Sequence, residues 1–238
     1  AKPAEEKIRL DLLLLEKFPA YNRSTLQTFV ESGFVKANGE IVKKPNAKFP
    51  PDVELELSVP AKTPLKTPPE ILFEDENVLV LDKPAGLLSM SKGEYCPEWT
   101  LEDFGLLVHR LDRDTSGVVV LAKNPETQSF LRRQFQDRKT KKTYLAVVEG
   151  HPKLPAAEIN LPLARNLNRP TTFRVDPSGK ESVTFYKTLA TSDNPPLALL
   201  ELQPQTGRTH QLRVHLSYIG TPILGDPVYN PKSQASRL

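Results

Sequence analysis

The segment 109–117 is the densest group of chemically active side chains in the sequence. It places two carboxylates, Asp112 and Asp114, among an imidazole, two guanidiniums and two hydroxyls, and it ends in Gly117. The apolar run 118–121 follows at once, so we predict a loop that leads into a strand. Loops held by a scaffold carry a large share of catalytic groups. On composition alone, a charged turn with a glycine at positive φ is the favoured alternative.

A second cluster, at 206–215, reads Thr-Gly-Arg-Thr-His-Gln-Leu-Arg-Val-His. We predict a helix over 209–219, with Thr209 as its cap and an N-terminus able to hold an anion. His210 and His215 are five positions apart, which is about 140° around a helix, so they cannot share a zinc ion. Structural hydrogen bonds are the favoured interpretation of both histidines.

Other enzyme classes find little support. The chain has one cysteine, Cys96, flanked by acidic residues and proline. That setting does not favour a reactive thiolate, and a single cysteine excludes the paired-cysteine zinc site of base deaminases. The sequence contains no glycine-rich phosphate loop or dinucleotide fingerprint. We therefore expect no metal and no organic cofactor.

Composition is that of an ordinary globular protein, with 238 residues, 38% hydrophobic residues and a net charge of +3. No apolar run is long enough to span a bilayer, so no membrane partner is expected. The lone cysteine fits a reducing compartment, and we expect a cytoplasmic monomer. Six basic residues and one acid lie between Arg132 and Lys142. Such a run indicates either a solvated face or a nucleic-acid contact.

The elements that must position these clusters fall into two parts. Residues 1–60 predict a small unit with two helices, in which Ile8, Leu12 and Leu15 recur at helical spacing, as do three apolar residues at 26–30. Asn22, or a hydroxyl just after it, can cap the second helix. Asn38 begins an Asn-Gly turn that predicts a hairpin over 35–42, and alternation at 53–57 predicts a closing strand.

Residues 61–70 are rich in proline and predict a semi-rigid linker. From 71 to 238 the pattern predicts one domain. Strands are expected at 71–73, 78–81, 118–122, 144–148, 183–189 and 197–202, and helices at 128–136 and 209–219.

Four segments of this domain resemble, in the same order, those of RluA-type pseudouridine synthases. The cluster 109–117 is similar to the family signature His-Arg-Leu-Asp-x-x-Thr-Ser-Gly. Leu-Asp-Lys-Pro-Ala-Gly at 81–86 resembles the strand and turn before the site, and 142–150 resembles the Lys-x-Tyr strand. The fourth segment, 206–226, resembles the late Arg-Thr-His-Gln block. Four such motifs in order make accident very improbable.

The resemblance implies an enzyme that isomerises uridine to pseudouridine in structured RNA, ribosomal or transfer, by flipping the base into a pocket. It assigns the catalytic carboxylate to Asp112, which acts as a nucleophile or as a base. Arg208 would pair with Asp112, Tyr144 would stack on the base, and Arg110 would fill the gap left by the flipped nucleotide. No metal or cofactor is implied.

The N-terminal unit resembles the alpha-L RNA-binding module shared with a small-subunit ribosomal protein. The likeness lies in Arg-Leu-Asp at 9–11, Arg-Ser at 23–24, Gly-Phe-Val at 33–35 and Asn-Gly at 38–39. It implies an RNA-binding face. The face would be formed by Arg9, Arg23, Gln27, Lys43 and Lys44, with Lys36 nearby.

The implied fold is α+β within the broad α/β class. A small alpha-L domain over 1–60 comes first in the sequence, and a domain with a mixed, mostly antiparallel sheet follows over 71–238. The family also has a last strand near a Leu-His-Ala segment, which this sequence does not contain. We expect either that the native chain extends past Leu238 or that the edge of the sheet is closed differently. The competing hypothesis is a non-catalytic RNA-binding or ribosome-associated factor. A pure binder has no reason to keep Asp112, Tyr144 and Arg208 together.

Overall fold

The computed structural model describes residues 7–59, 61–91, 96–233 and 235. The chain divides into two compact units, of which the first ends at Ser129 and the second begins at Phe130. The predicted boundary at Pro60 and the C-terminal end of the predicted catalytic domain lie outside the described residues. That division of the chain stays a prediction.

The N-terminal part of the first unit pairs two helices with short strands around its own core. The strands and helices are β1 (Ile8–Arg9), α1 (Leu10–Lys17), α2 (Arg23–Glu31), β2 (Val35–Ala37), β3 (Glu40–Ile41), β4 (Lys48–Phe49) and β5 (Leu55–Leu57). Strands β3, β2 and β5 form an antiparallel sheet in that order, and β1 pairs with β4. A cluster of buried apolar side chains from residues 10–55 lies between the helices and the sheet.

Helix α1 is confirmed, but leucines other than the predicted pair form its buried face. Leu12 and Leu15 are 41% and 38% exposed, whereas Leu10, Leu13 and Leu14 are buried. Residues 12–15 are all leucine, so a helical period can be drawn through either set.

The predicted cap of the second helix and the predicted Asn-Gly turn are both confirmed. The Asn22 side chain accepts a hydrogen bond from the Thr25 amide at 3.0 Å and caps α2. Asn38 and Gly39 both have positive φ, of 51° and 81°, as a two-residue hairpin turn requires.

The linker contacts the segment near Trp99. Lys62 forms an ion pair with Asp103 and lies over the Trp99 ring, 5.6 Å from its centroid. The Thr63 amide donates to the Pro97 carbonyl at 2.9 Å. These contacts tether the start of the linker to residues 97–103.

The rest of the first unit is a four-stranded antiparallel sheet in the order β6-β7-β9-β8. Its strands are β6 (Glu70–Glu74), β7 (Val78–Lys83), β8 (Leu106–Leu107) and β9 (Gly117–Ala122), with a short 3₁₀ turn at Leu101–Asp103. The central strands β7 and β9 each bury alternate apolar residues, Leu79 and Leu81 in β7 and Val119 and Leu121 in β9, as expected of an antiparallel sheet with one packed face. The loop 109–116 leads into β9, as predicted.

The second unit contains the antiparallel sheet β10-β15-β14-β11. Strands β12 and β13 pair with each other in a separate two-stranded sheet. Its elements are α3 (Pro125–Gln136, which begins in the first unit), β10 (Tyr144–Glu149), β11 (Ala156–Asn160), β12 (Leu163–Arg165), β13 (Phe173–Val175), β14 (Val183–Asp193), β15 (Pro196–Pro204) and α4 (Gln211–Tyr218). Leu216 of α4 joins Leu200 and Leu202 of β15 in a common core. The antiparallel α+β fold is therefore confirmed.

The predicted cap of α4 is wrong. The residue before the helix is His210, which has the left-handed φ of 57° and makes no side-chain capping bond. Thr209 lies one position earlier, in a turn, and the helix starts at Gln211. A left-handed backbone turn at His210 thus precedes the first residue of this helix.

Candidate active site

The loop that carries Asp112 is fastened by a buried lysine. Lys83 ends β7 and its side chain is fully buried. Its ammonium group donates to the carbonyl oxygens of Pro84, Arg113 and Thr115 at 3.0, 2.8 and 2.8 Å. An ammonium has three donors, so this set satisfies it completely. Two of the three acceptors belong to the loop.

A serine fastens the other side of the same loop. The Ser89 hydroxyl donates to the Leu111 carbonyl at 2.6 Å and accepts from the Leu111 amide at 3.1 Å. The Gly86 amide donates to the Arg113 carbonyl at 2.9 Å. The residues on both sides of Asp112 are thus fixed by hydrogen bonds, and Asp112 itself is half-buried.

The charge of Lys83 lies near the loop's carboxylates. Burial lowers the pKa of Lys83 to about 8, against the opposing effect of the Asp114 and Asp112 charges. The lysine therefore remains mostly protonated at neutral pH, and it places a buried positive charge close to Asp112.

The two residues that begin the loop have different roles. The ring of His109 accepts a hydrogen bond from the Val120 amide at 3.1 Å through Nε2. That bond puts the proton on Nδ1 of a neutral His109 and joins the loop's start to β9. The Arg110 side chain is exposed, and its Nη1 lies 3.9 Å from the Met90 sulfur.

In the second unit, Tyr144 and Arg208 lie at the same end of the sheet. Tyr144 begins β10 opposite Leu202 of β15, and β15 ends four residues before Arg208. Lys142 donates to the Thr206 carbonyl at 3.4 Å, which joins the two flanking segments. Tyr144 is half-buried and Arg208 is exposed.

A buried glutamine organises the turn that presents Arg208. The Gln211 side-chain oxygen accepts from the Thr206 hydroxyl at 2.7 Å and from the Arg208 amide at 3.0 Å. Its nitrogen donates to the Val183 carbonyl at 2.9 Å and to the Thr184 hydroxyl at 3.0 Å. The guanidinium of Arg208 donates through Nε to the Glu181 carbonyl at 3.1 Å. The pairing of Arg208 with Asp112 stays a prediction.

Both histidines of this segment make structural hydrogen bonds, as expected. His210 Nδ1 is 2.8 Å from the Tyr229 hydroxyl. His215 is fully buried between the Thr184 hydroxyl and the Leu161 carbonyl, each at 3.0 Å. Burial lowers the pKa of His215, so this histidine is neutral at physiological pH.

Three of the N-terminal residues predicted to bind RNA donate hydrogen bonds to one carboxylate, that of Asp11, for which no role was predicted. Arg9, Arg23 and Gln27 all donate to the Asp11 side chain, at 2.7 to 3.0 Å. Asp11 is fully buried. Burial raises the pKa of its carboxyl group, but the bonds from Arg9, Gln27 and Arg23 outweigh burial and lower the pKa to about 2.

The two lysines predicted to bind RNA, Lys43 and Lys44, are placed differently with respect to the cluster around Asp11. The Lys43 side chain passes beside Gly33, past the C-terminal end of α2, whereas Arg23 begins that helix. Lys44 is exposed and precedes Pro45, whose carbonyl accepts from the Asp11 amide at 3.0 Å. Its backbone therefore lies near the cluster.

Three residues that support the candidate site had no predicted role: Lys83, Ser89 and Gln211. A signal existed for Lys83, because a lysine at the end of an apolar strand must find polar partners if the strand is buried. Gln211 lies within the segment 206–226, but its four hydrogen bonds reach residues 3 to 28 positions away. A sequence pattern cannot show these partners.

Among the residues that the structure describes, no group of three or more histidine, cysteine, aspartate or glutamate side chains is placed to hold a metal ion. No described helix is long and apolar enough to cross a membrane.

Comparisons with known protein families match both parts of the chain. The profile described as RNA pseudouridylate synthase matches residues 77–218, and that of the S4 domain matches residues 8–55. The first match includes Asp112, Tyr144 and Arg208. The second includes Asp11 and its three donors.

Known relatives and structures agree with these matches. A protein of Aquifex aeolicus named as an RNA pseudouridine synthase is 37% identical over 97% of this chain and 79% of its own length. A protein of Borreliella burgdorferi named ribosomal large subunit pseudouridine synthase D is 36% identical, over 94% of this chain and 76% of its own. The structure of human RNA pseudouridylate synthase domain containing 1 superposes with a TM-score of 0.62 and 28% identity, covering 72% of this chain and 74% of that one.

Proposed function

Because this chain belongs to the RNA pseudouridylate synthase family, and so isomerises uridine in RNA, we propose that its substrate is the RNA of the large ribosomal subunit. Several relatives carry a name that states this substrate, among them the proteins of Borreliella burgdorferi and Haemophilus influenzae. A ribosomal substrate favours a cytoplasmic location. The enzyme acts as a monomer. The alternative of a non-catalytic RNA-binding factor finds no support in the comparisons.

The catalytic carboxylate is Asp112. The observation that carries this assignment is the way its loop is held, with the backbone fixed on both sides by Lys83, Ser89 and Gly86 while the carboxylate remains half-exposed. A catalytic group must be held in a defined position and still be open to substrate. An exposed surface turn has no need of a buried lysine beneath it.

Isomerisation breaks the bond from the ribose to the base nitrogen, turns the base and rejoins it through carbon. The product has the same atoms as the substrate, so the reaction consumes no oxidant, reductant or second substrate. The carboxylate of Asp112 acts on the ribose or the base, as a nucleophile or as a base. Arg208 pairs with Asp112 and keeps the carboxylate ionised and oriented.

The target base lies within structured RNA and must leave its stack before it can react. Arg110, exposed two positions before Asp112, occupies the gap that the flipped nucleotide leaves. Tyr144 stacks on the flipped base and takes part in proton removal from the new attachment carbon. The N-terminal residues Arg9, Arg23, Gln27, Lys43 and Lys44 contact the RNA backbone.

The substrate is tested with the purified full chain and three unmodified RNAs: large-subunit ribosomal RNA, small-subunit ribosomal RNA and bulk transfer RNA. Pseudouridine is located in each by chemical labelling and primer extension. We expect modification at defined uridines of the large-subunit RNA only. Modification confined to transfer RNA would contradict the proposed substrate and leave the isomerase activity intact.

A further inference from the structure

Asp11 is a buried carboxylate that holds two arginine side chains together. Oδ2 accepts four hydrogen bonds, from Arg9 Nη2 at 3.0 Å, Arg23 Nε at 3.0 Å, Arg23 Nη2 at 2.8 Å and Gln27 Nε2 at 2.7 Å. Oδ1 accepts one, from Arg9 Nε at 3.0 Å. The Asp11 side chain is fully buried, and the side chains of Arg9 and Arg23 are 42% and 47% exposed.

The cluster keeps a positive charge at the surface. An isolated buried carboxylate is costly, and the five donors compensate it. The two guanidiniums carry two positive charges and Asp11 one negative charge, so the group retains a net charge of +1. Its two cationic members are the ones that reach solvent.

The carboxylate also brings together two groups that repel each other. Arg9 Nη2 and Arg23 Nη2 lie within 3.0 Å of the same oxygen atom, and two guanidiniums at such close range would separate if Asp11 carried no charge. Each guanidinium has five N–H donors and uses two of them on Asp11. The other donors can bind a second oxyanion.

We propose that Asp11 is a positioning residue that holds Arg9 and Arg23 as a preformed pair for one phosphate of the RNA backbone. This inference rests on the proposed function of the N-terminal module in RNA binding. Two guanidiniums side by side match the oxygens of a phosphate, and forks fixed before binding lose less side-chain entropy when RNA arrives.

A purely structural role for Asp11 makes a different prediction. An acid in the first turn of α1 stabilises that helix through its N-terminal dipole, and removing its charge would then lower stability alone. Because Asp11→Asn removes one negative charge from the protein, simple electrostatics predicts tighter RNA binding. If Asp11 positions the two arginines, the variant should instead bind RNA more weakly. The two hypotheses therefore predict changes in RNA affinity of opposite sign.

The test measures the affinity of the full chain for a fluorescently labelled stem–loop RNA at two salt concentrations. For Asp11→Asn we expect roughly tenfold weaker binding, the effect of losing one charge-assisted hydrogen bond. The matched control is Asp52→Asn, which makes the same charge change at an exposed residue of the same module. Its affinity should be unchanged or slightly tighter.

The double variant Arg9→Ala/Arg23→Ala distinguishes the RNA-binding role of the two arginines from the positioning role of Asp11. If it binds RNA as the wild type does, the arginines are not RNA ligands, and the proposed role of the module fails with the inference. If it binds weakly while Asp11→Asn binds as tightly as Asp52→Asn, the positioning role alone is overturned. Weak binding by the double variant and by Asp11→Asn, with normal binding by Asp52→Asn, supports the inference.

A second measurement covers the case in which Asp11→Asn does not fold. In the RNA-free wild-type chain, the Nε–H groups of Arg9 and Arg23 should be rigid and slow to exchange with water, because both donate to Asp11. Nuclear magnetic resonance of arginine side chains reports this directly. Mobile, rapidly exchanging Nε–H groups at both residues would overturn the preformed pair.

Discussion

Neighbouring residues of the loop before β9 differ in exposure as well as in chemistry. Arg110 is exposed, Leu111 is buried and Asp112 is half-buried. The buried leucine, whose amide and carbonyl both bond to Ser89, anchors the short stretch between the guanidinium and the carboxylate. A long cation that reaches outward suits contact with folded RNA, whereas a fixed carboxylate suits chemistry on one nucleotide.

Arg110→Ala should therefore impair base flipping more than the chemical step. We expect kcat/KM to fall by roughly tenfold or more on a folded RNA relative to an unstructured oligonucleotide, because unstacking costs a few kcal/mol in the folded substrate alone. Arg113→Ala is the control, since Arg113 lies in the same loop and forms a surface ion pair with Glu98. Equal losses on the two substrates would count against a flipping role.

Arg208→Lys should keep the charge and lose the two-pronged contact proposed with Asp112. Since hydrogen bonds to charged groups are worth about 1.5–3 kcal/mol, kcat should fall by roughly 10- to 150-fold with little change in RNA affinity. Arg174→Lys, which alters a surface arginine paired with Asp176, serves as the control. A wild-type kcat for Arg208→Lys would exclude the proposed pairing.

At the scale of whole elements, the strands with the clearest alternation of buried apolar residues were predictable from the sequence, whereas several short strands were not. β7, β9 and β15 have buried apolar residues at every second position, and all three were predicted. β11, β12 and β13 have only three to five residues, which is too short for a clear alternating pattern. Their formation depends on partners that the local sequence does not identify, such as β14 for β11.

The same limit applies to the site. The motif that carries Asp112 was visible because it is contiguous, as was the segment that carries Arg208. The resemblance placed Arg9, Arg23 and Gln27 on one face, but the role of Asp11 in joining them was not visible, because Arg23 and Gln27 lie 12 and 16 positions away from it. An acid within a leucine-rich helix indicates only that a partner must exist.

Lys83→Met should loosen the connection between β7 and the loop. Methionine fills similar volume but removes the lysine donor from the carbonyls of Arg113 and Thr115, of which Arg113 keeps the Gly86 amide. This loss should lower the free energy of unfolding by about 3 kcal/mol and reduce kcat. Lys123→Met is the matched control. That lysine lies just after β9 and bonds to Glu74 and Asp75 at the surface, where ion pairs contribute at most about 1 kcal/mol.

Urea unfolding and single-turnover kinetics would measure both effects. If Lys83→Met unfolds at the same urea concentration as Lys123→Met and retains wild-type turnover, Lys83 does not hold the loop.

Removal of residues up to Val59 should weaken RNA binding and leave the remainder folded, because the apolar cluster of residues 10–55 is a core of its own. The contacts of Lys62 and Thr63 with the segment near Trp99 would be retained. Affinity for RNA is measured over a range of salt concentrations. A smaller salt dependence is expected, since fewer phosphates would be neutralised. Unchanged affinity at every salt concentration would show that the module is not an RNA binder.

At the scale of the whole molecule, the proposed function assigns RNA binding and the chemical step to different residues. The net charge is only +3, so we expect RNA affinity to depend on where basic residues are gathered, as at Arg9 and Arg23 or in the run 132–142. Phosphate contacts generally position a nucleic acid without selecting its sequence. The chemical step, in contrast, is assigned to one carboxylate in one loop. A single substitution should therefore abolish turnover and leave binding intact.

Asp112→Asn in the full chain is the most direct test of this assignment, with Asp114→Asn as a control that makes the same change two residues later in the same loop. Pseudouridine formed in large-subunit ribosomal RNA is counted after nuclease digestion, and RNA affinity is measured in parallel. We predict no detectable pseudouridine with Asp112→Asn, near-wild-type product with Asp114→Asn, and RNA affinity within about twofold of wild type for both. Wild-type turnover by Asp112→Asn would contradict the central claim.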